Sequence, residues 1–269
     1  MLLHDTVTLN NGIVMPKIAF GTSQIEKKEV SQKVALAIQK GFLHIDTAQN
    51  FNNEAEVANG IILSGAFRRN IFITTHIASE IKNYIGAKYS VEKSLEKLKT
   101  NYIDLLLIHA PIPLDESSRV KRFFKENLQV WKAMEDFYDK GIVRAIGLRN
   151  FKKEDIKNIV DNCNIPPSVN QINFYPSSTN AALLNYMKRS TELCIQGYFP
   201  KQINLKKIEN IISKYNLCAG QLCCNFILQE KLCVIVNDIE DIEKQNITIQ
   251  EEDIKILKQS GFNKTLTTI

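Results

Sequence analysis

The sequence contains no run of about 20 apolar residues, the length a membrane-spanning helix needs, so no membrane span is expected. Its opening residues, MLLHDTVTLNNG, lack the basic start and apolar run of a targeting peptide, which points to a cytoplasmic protein. The six cysteines, at 163, 194, 218, 223, 224 and 233, form no CxxC pair and no zinc-binding spacing, so buried thiols are expected. The basic residues form no block either. The net charge of +5 is scattered along the chain, the short cluster at 119–125 lies beside acidic residues, and no RNA or DNA motif accompanies it, so nucleic acid is not an expected partner. No linker or repeat of domain size interrupts the sequence. With 44% apolar and 23% charged residues it has ordinary globular composition, and 1–269 is expected to form a single α/β barrel domain.

Short apolar runs alternate with amphipathic stretches of helical period, the pattern of a parallel sheet joined by crossover helices. Val7 to Leu9 and Ile13 to Met15 flank Asn10-Asn11-Gly12, a turn suited to positive φ, and read as a hairpin that plugs the barrel bottom. Eight strands are expected after it, at 17–20, 43–46, 71–75, 104–109, 145–148, 169–172, 194–198 and 233–236. Helical patterns separate them at 28–40, 53–63, 87–98, 123–140, 153–160, 181–189, 205–215 and 219–229, and Thr248 with Glu251 has capping-box spacing for a last helix to about Lys258. The fold expected is therefore a (β/α)8 TIM barrel with an N-terminal β-hairpin. Chemistry in such folds sits at the C-terminal ends of the strands. Asp46, His76 and His109 fall there, with polar Asn150, Gln171 and Tyr198 on the following strands, whereas His44 has the inward parity of a packed core histidine.

These segments resemble the aldo-keto reductase family over nearly the whole chain. Gly41-Phe-Leu-His-Ile-Asp-Thr-Ala48 with Phe51-Asn-Asn-Glu54 and Val57 is similar to the family pattern G-x-R-x-I-D-T-A-x-x-Y-x-N-E-x-x-V. Tyr102 to Pro111, Ile146 to Phe151, Val169-Asn-Gln171 with Tyr175-Pro176, and Gly197 to Pro200 follow in matching order. The resemblance implies NAD(P)H-dependent carbonyl reduction by an Asp, a Tyr, a Lys and a His, with the Tyr donating the proton. Asp46 and His109 match two of these positions, but Phe51 stands at the tyrosine and His76 at the lysine. A phenol with pKa near 10 needs a nearby cation to act at neutral pH, and here both phenol and lysine are missing. Losing general acid–base help costs about 10²- to 10⁴-fold in rate, so an inactive or strongly impaired reductase, a pseudoenzyme, is expected with Asp46 and His109 as remnants.

On the cofactor side the resemblance assigns Asn150 and Gln171 to the nicotinamide carboxamide and Tyr198 to the ring that stacks on it. Arg149 replaces the usual Ser beside them. The I-P-K-S stretch whose Lys and Ser hold the 2′-phosphate reads Ile235-Val236-Asn237-Asp238 here, and Asp241 stands where an Arg grips the same phosphate. A carboxylate facing a phosphate opposes NADPH, so any NAD(P)H binding is expected to be weak, with NADH less disfavoured. The loop at 200–203 reads as shorter than the family's cofactor-covering loop. Two alternatives remain open: a working oxidoreductase in which His109 donates the proton, and a metal-binding barrel using Asp46, His76 and His109. The expected partner is a small-molecule substrate or an unidentified protein.

Overall fold

In the computed structural model eight parallel strands hydrogen-bond side to side and close into a barrel. The structure describes residues 2–114, 122–176, 179–200, 208–244 and 247–259. The basic cluster beginning at Arg119, the loop at 201–203 and the start of the helix expected from Leu205 lie outside these residues in whole or part.

The hairpin is β1 (Thr6–Thr8) and β2 (Val14–Pro16), paired with Val7 opposite Met15. The turn between them passes through Gly12 at φ +82°, a left-handed conformation that glycine adopts without the steric cost of a Cβ. The barrel strands are β3 (Ile18–Gly21), β4 (His44–Asp46), β5 (Phe72–Ile77), β6 (Leu105–Ile108), β7 (Ile146–Arg149), β8 (Val169–Asn173), β9 (Cys194–Tyr198) and β10 (Cys233–Val236). Helices α1 (Lys27–Gln39) through α8 (Ala219–Gln229) surround them, and α9 (Glu251–Gln259) follows. The strands appear in the order and close to the bounds read from the sequence. Among the described residues no helix is long and apolar enough to cross a membrane.

Strand parity builds two separate cores. Outward-facing residues such as Ile45, Ile73, Leu106, Ile108, Ile146, Leu148 and Val234 join the helices in one large apolar cluster. The inward-facing Phe72, Leu105, Leu107, Ala145, Val169 and Cys233 form a second cluster with Leu9 and Met15, so the hairpin does seal the barrel bottom.

Two local expectations are corrected. Thr248 does not cap the last helix: Ile254 N donates to Gln250 O, and Gln250 N donates to the Tyr215 hydroxyl at 2.8 Å. Ile249 is held by both ends of the Gln229 amide, and these tertiary bonds keep the chain out of the helix until Glu251. The cysteines are not all buried either. Cys223, Cys224 and Cys233 are, but Cys218 is exposed because it serves as N-cap of α8, its sulfur accepting from Gln221 N.

Candidate active site at the barrel mouth

Within each strand the inward positions change from apolar at the bottom to polar at the top. Phe72 is followed on the same face by Thr74 and His76, Leu105 and Leu107 by the position of His109, Ala145 and Gly147 by Arg149, and Cys194 by Gln196 and Tyr198. Gly147 provides room at mid-height: a Cβ there would lie 2.6 Å from Val169 O and 2.7 Å from Leu107 Cδ2. The polar ends converge above this layer.

The structure brings all four sequence-assigned positions together. His76 Nε2 lies 3.9 Å from Asp46 Oδ2, the His76 and His109 ring centres are 5.4 Å apart, and Phe51 meets His109 edge to face at 5.8 Å. Phe51 ends a single 3-10 turn, Gln49–Phe51, so an apolar ring packs against the imidazole at the position that the resemblance gives to a phenol. Behind them Asn53 accepts from Thr47 Oγ1 at 2.8 Å and donates to Thr22 O at 3.0 Å, fixing the segment after β4. Glu54 is buried and accepts from Thr75 Oγ1, and burial raises its pKa.

Gln171 is the hub. Its Nε2 donates to Asp46 Oδ2 at 2.7 Å and to Gln196 Oε1 at 2.9 Å, while its Oε1 faces His76 Nε2 at 2.9 Å. The Asp46 carboxylate accepts only, which sets the amide orientation. His76 Nδ1 donates to Thr47 O. Both His76 nitrogens therefore meet acceptors, and full pairing calls for an imidazolium. Burial works against that charge and lowers the His76 pKa, Asp46 opposes the shift, and Arg149 adds to it. Gln196 went unread in the sequence; its signal was a polar residue at inward parity in an otherwise apolar strand.

The other half of the mouth is organised by Arg149, which is 8% exposed. Its Nη1 donates to His109 Nε2 at 3.2 Å, and its guanidinium carbon lies 4.3 Å from the centre of the Tyr198 ring. The Tyr198 hydroxyl donates to Asn150 Oδ1 at 2.7 Å. Asn150 itself leaves β7 at φ +61°, with its N–H on Gln171 O. Burial, then the charges of Arg149, His76 and Lys82, hold the His109 pKa far below the usual imidazole range. His109 is thus neutral, with the proton on Nδ1 and Nε2 engaged. This runs against the alternative in which His109 is the proton donor.

The metal alternative is corrected as well. Both nitrogens of His76 and Nε2 of His109 are committed to protein partners, and among the described residues no group of three or more His, Cys, Asp or Glu side chains is placed to hold a metal. His44 is the core histidine expected: fully buried, bonded to Pro16 O and Thr74 Oγ1, and set edge to face against Phe72 at 4.7 Å.

Asp238 and Asp241 lie past β10 and cap the turn Ile239–Ile242, with Asp238 N donating to Asp241 Oδ2 at 3.2 Å. Asp241 packs so tightly on Gly220, near the start of α8, that a Cβ at Gly220 would fall 1.7 Å from its Oδ1. Burial raises the Asp241 carboxyl to about 6, against about 4 for a free side chain. Between those values the folded chain holds a proton that the unfolded chain has lost, so stability falls as pH rises from about 4 to about 6, and the cost persists above. Asp241→Asn is expected to stabilise the protein by about 1–3 kcal/mol at neutral pH and by almost nothing near pH 4, compared by urea melts at both. An equal effect at the two pH values would contradict the assignment.

The family model described as Aldo/keto reductase family matches residues 17–201. The chain belongs to the aldo-keto reductases. A glyoxal reductase of Bacillus subtilis (strain 168) is 32% identical over 257 residues, 94% of this chain and 87% of that protein. A 9,11-endoperoxide prostaglandin H2 reductase of Trypanosoma cruzi is 30% identical over 277 residues, 98% and 94% of the two chains. Among solved structures, the aldose reductase of Schistosoma japonicum superposes with a TM-score of 0.85 at 27% identity, covering 98% of this chain and 95% of that one. An aldo-keto reductase of Bombyx mori in complex with NADP superposes at 0.81 with 25% identity, covering 96% and 92%. Family membership brings oxidoreductase chemistry and NAD(P)H as the family cofactor.

In this aldo-keto reductase the side chains at the nicotinamide positions do not fit that group as they stand. The Tyr198 ring carries Arg149, Asn150 Oδ1 is taken by the Tyr198 hydroxyl, and the Gln171 amide is spent on Asp46, Gln196 and His76.

Proposed function

We propose that this barrel is an aldo-keto reductase that has lost, or nearly lost, NADPH-dependent carbonyl reduction and persists as a cytoplasmic pseudoenzyme. The observation that carries this reading is the Phe51 ring packed perpendicular to His109, at the sequence position where the family resemblance calls for a hydroxyl proton donor. A neutral His109 already bonded to Arg149 cannot make up the loss, and His76 supplies only a charge opposed by burial. NADPH is further disfavoured by Asp238 and Asp241, which occupy the sequence positions where the resemblance calls for the 2′-phosphate grip; NADH lacks that phosphate and meets less opposition. Asn150, Gln171 and Tyr198 would have to release their present partners to receive a nicotinamide. The remaining role is binding of a small molecule at the mouth or of a protein partner.

A fluorescence titration with NADPH and separately with NADH tests the reading. No saturable quenching by NADPH up to millimolar concentrations, and at most weak quenching by NADH, is expected. With glyoxal, the substrate named for the Bacillus subtilis relative, turnover is expected to be about 10²- to 10⁴-fold below that relative's. Saturable NADPH binding with glyoxal turnover comparable to that relative's would overturn it.

A further inference from the structure

Two sulfurs meet at the end of the barrel opposite the mouth. Cys194 opens β9 and Cys233 opens β10, neighbouring parallel strands, and their Sγ atoms lie 3.5 Å apart. Both side chains point inward: Cys233 belongs to the bottom cluster with Leu9, Met15 and Val169, and Cys194 packs against it. Cys233 is 4% exposed, whereas Cys194 is half-buried and gives the pair a route to solvent. Neither the chemistry at the mouth nor the sealing of the bottom calls for two thiols at this place.

The register decides what the pair can do. Cys233 stands opposite Gln196, so Cys194 is two residues away along the ladder. Strands about 4.8 Å apart with a rise of about 3.3 Å per residue put such diagonal Cα atoms about 8 Å apart, beyond the span a disulfide tolerates without backbone movement. A third atom between the sulfurs needs no such approach. Metal–thiolate bonds of about 2.3 Å set two sulfurs about 3.8 Å apart at a tetrahedral angle and about 4.6 Å apart in a straight line, which small side-chain rotations provide from 3.5 Å. Zinc fits poorly, because it takes four ligands and, among the described residues, no third His, Cys, Asp or Glu joins this pair. Copper(I) prefers thiolate and thioether sulfur and is satisfied by two or three such donors. The hydrogen bond with Cys194 and burial raise the Cys233 thiol well above its usual pKa, so an incoming metal has to displace its proton. Two thiolates and one monovalent cation then leave a single negative charge, which the nearby Lys17 ammonium, already favouring the Cys233 thiolate, offsets.

We propose that Cys194 and Cys233 form a two-sulfur site for a soft monovalent cation, copper(I), at the sealed end of the barrel. Binding breaks two S–H bonds and forms two Cu–S bonds. Both protons pass to solvent and copper stays in the +1 state, so no oxidant or reductant takes part. The surrounding Leu9, Met15 and Val169 offer no oxygen side chain to a hard cation, which adds to the selectivity of the two sulfurs. The site stands at the opposite end from Asp46, His76 and His109 and does not depend on the loss of carbonyl reduction.

The test is an anaerobic competition titration of the full, reduced chain with copper(I) supplied as its bicinchoninate complex, whose colour is lost as the metal moves to the protein. The parent is expected to withdraw one equivalent. In Cys194→Ser and in Cys233→Ser the affinity is expected to fall by about 100-fold or more, since losing even a supporting partner of a metal ligand can cost that much. Cys163→Ser and Cys218→Ser, at the other cysteines that are not buried, are expected to keep the parent's affinity. Cys194→Ser changes a half-buried side chain by one atom, and a near-UV circular dichroism spectrum like the parent's is expected, so that its loss of copper is read on an intact barrel. No uptake by the parent, equal uptake by the parent and Cys194→Ser, or loss of the equivalent in Cys163→Ser or Cys218→Ser would each overturn the site.

Discussion

Phe51→Tyr with His76→Lys is expected to leave carbonyl reduction almost unchanged, and adding Arg149→Ser is expected to raise it by about 10²-fold or more, measured with NADH and an aldehyde. The double variant returns the phenol and the ammonium, but Arg149 still lies on the Tyr198 ring and holds His109 Nε2. Hydride transfer requires a nicotinamide within contact distance of the carbonyl carbon, and a guanidinium on the ring that should receive it prevents that geometry. Serine is short enough to clear the ring and release the imidazole. Full activity in the double variant would show that Arg149 swings aside without cost. A triple variant that folds by near-UV circular dichroism yet stays inert would point to the segment after β10, where Asp238 and Asp241 cap the turn Ile239–Ile242.

Gln171→Leu is expected to cost about 3 kcal/mol and lower Tm by roughly 6–12 °C. One amide satisfies Asp46 Oδ2, Gln196 Oε1 and His76 Nε2, and leucine leaves all three buried and unpaired. The most buried partners suffer most, because water cannot replace the lost bond at Asp46 or His76, which are 4% and 0% exposed. Arg149→Met is the opposing control: it also removes a polar side chain from the mouth, yet its expected effect on stability is neutral or favourable, because Arg149 Nε is buried without a hydrogen-bond partner. Opposite signs at neighbouring inward positions would separate a completed network from an unfinished one. A Gln171→Leu melt within a degree or two of the parent would mean that the site reorganises or admits water.

Much of the barrel was legible because strand parity is local. The period-2 alternation in segments such as Leu105–Ile108 sends one set of side chains to the helices and the other to the barrel axis, wherever the neighbouring strand comes from. Asp46, His76 and His109 could likewise be assigned to one end, since each lies at the C-terminal end of its strand. Capping at Thr248 was misread for the converse reason: Tyr215 and Gln229, distant in sequence, hold the backbone of 249–250 more firmly than a local cap could.

The sequence by itself determined the order of the eight strands, the sealing hairpin and the end of the barrel that is polar, because each depends on residue type at a fixed spacing. Only the tertiary structure decided what the polar residues do with one another. Gln171 became a hub between Asp46 and His76, and Arg149 folded onto Tyr198 and His109, because inward side chains from separate strands compete for a few acceptors in a space closed to water, and that competition is resolved by three-dimensional distance alone.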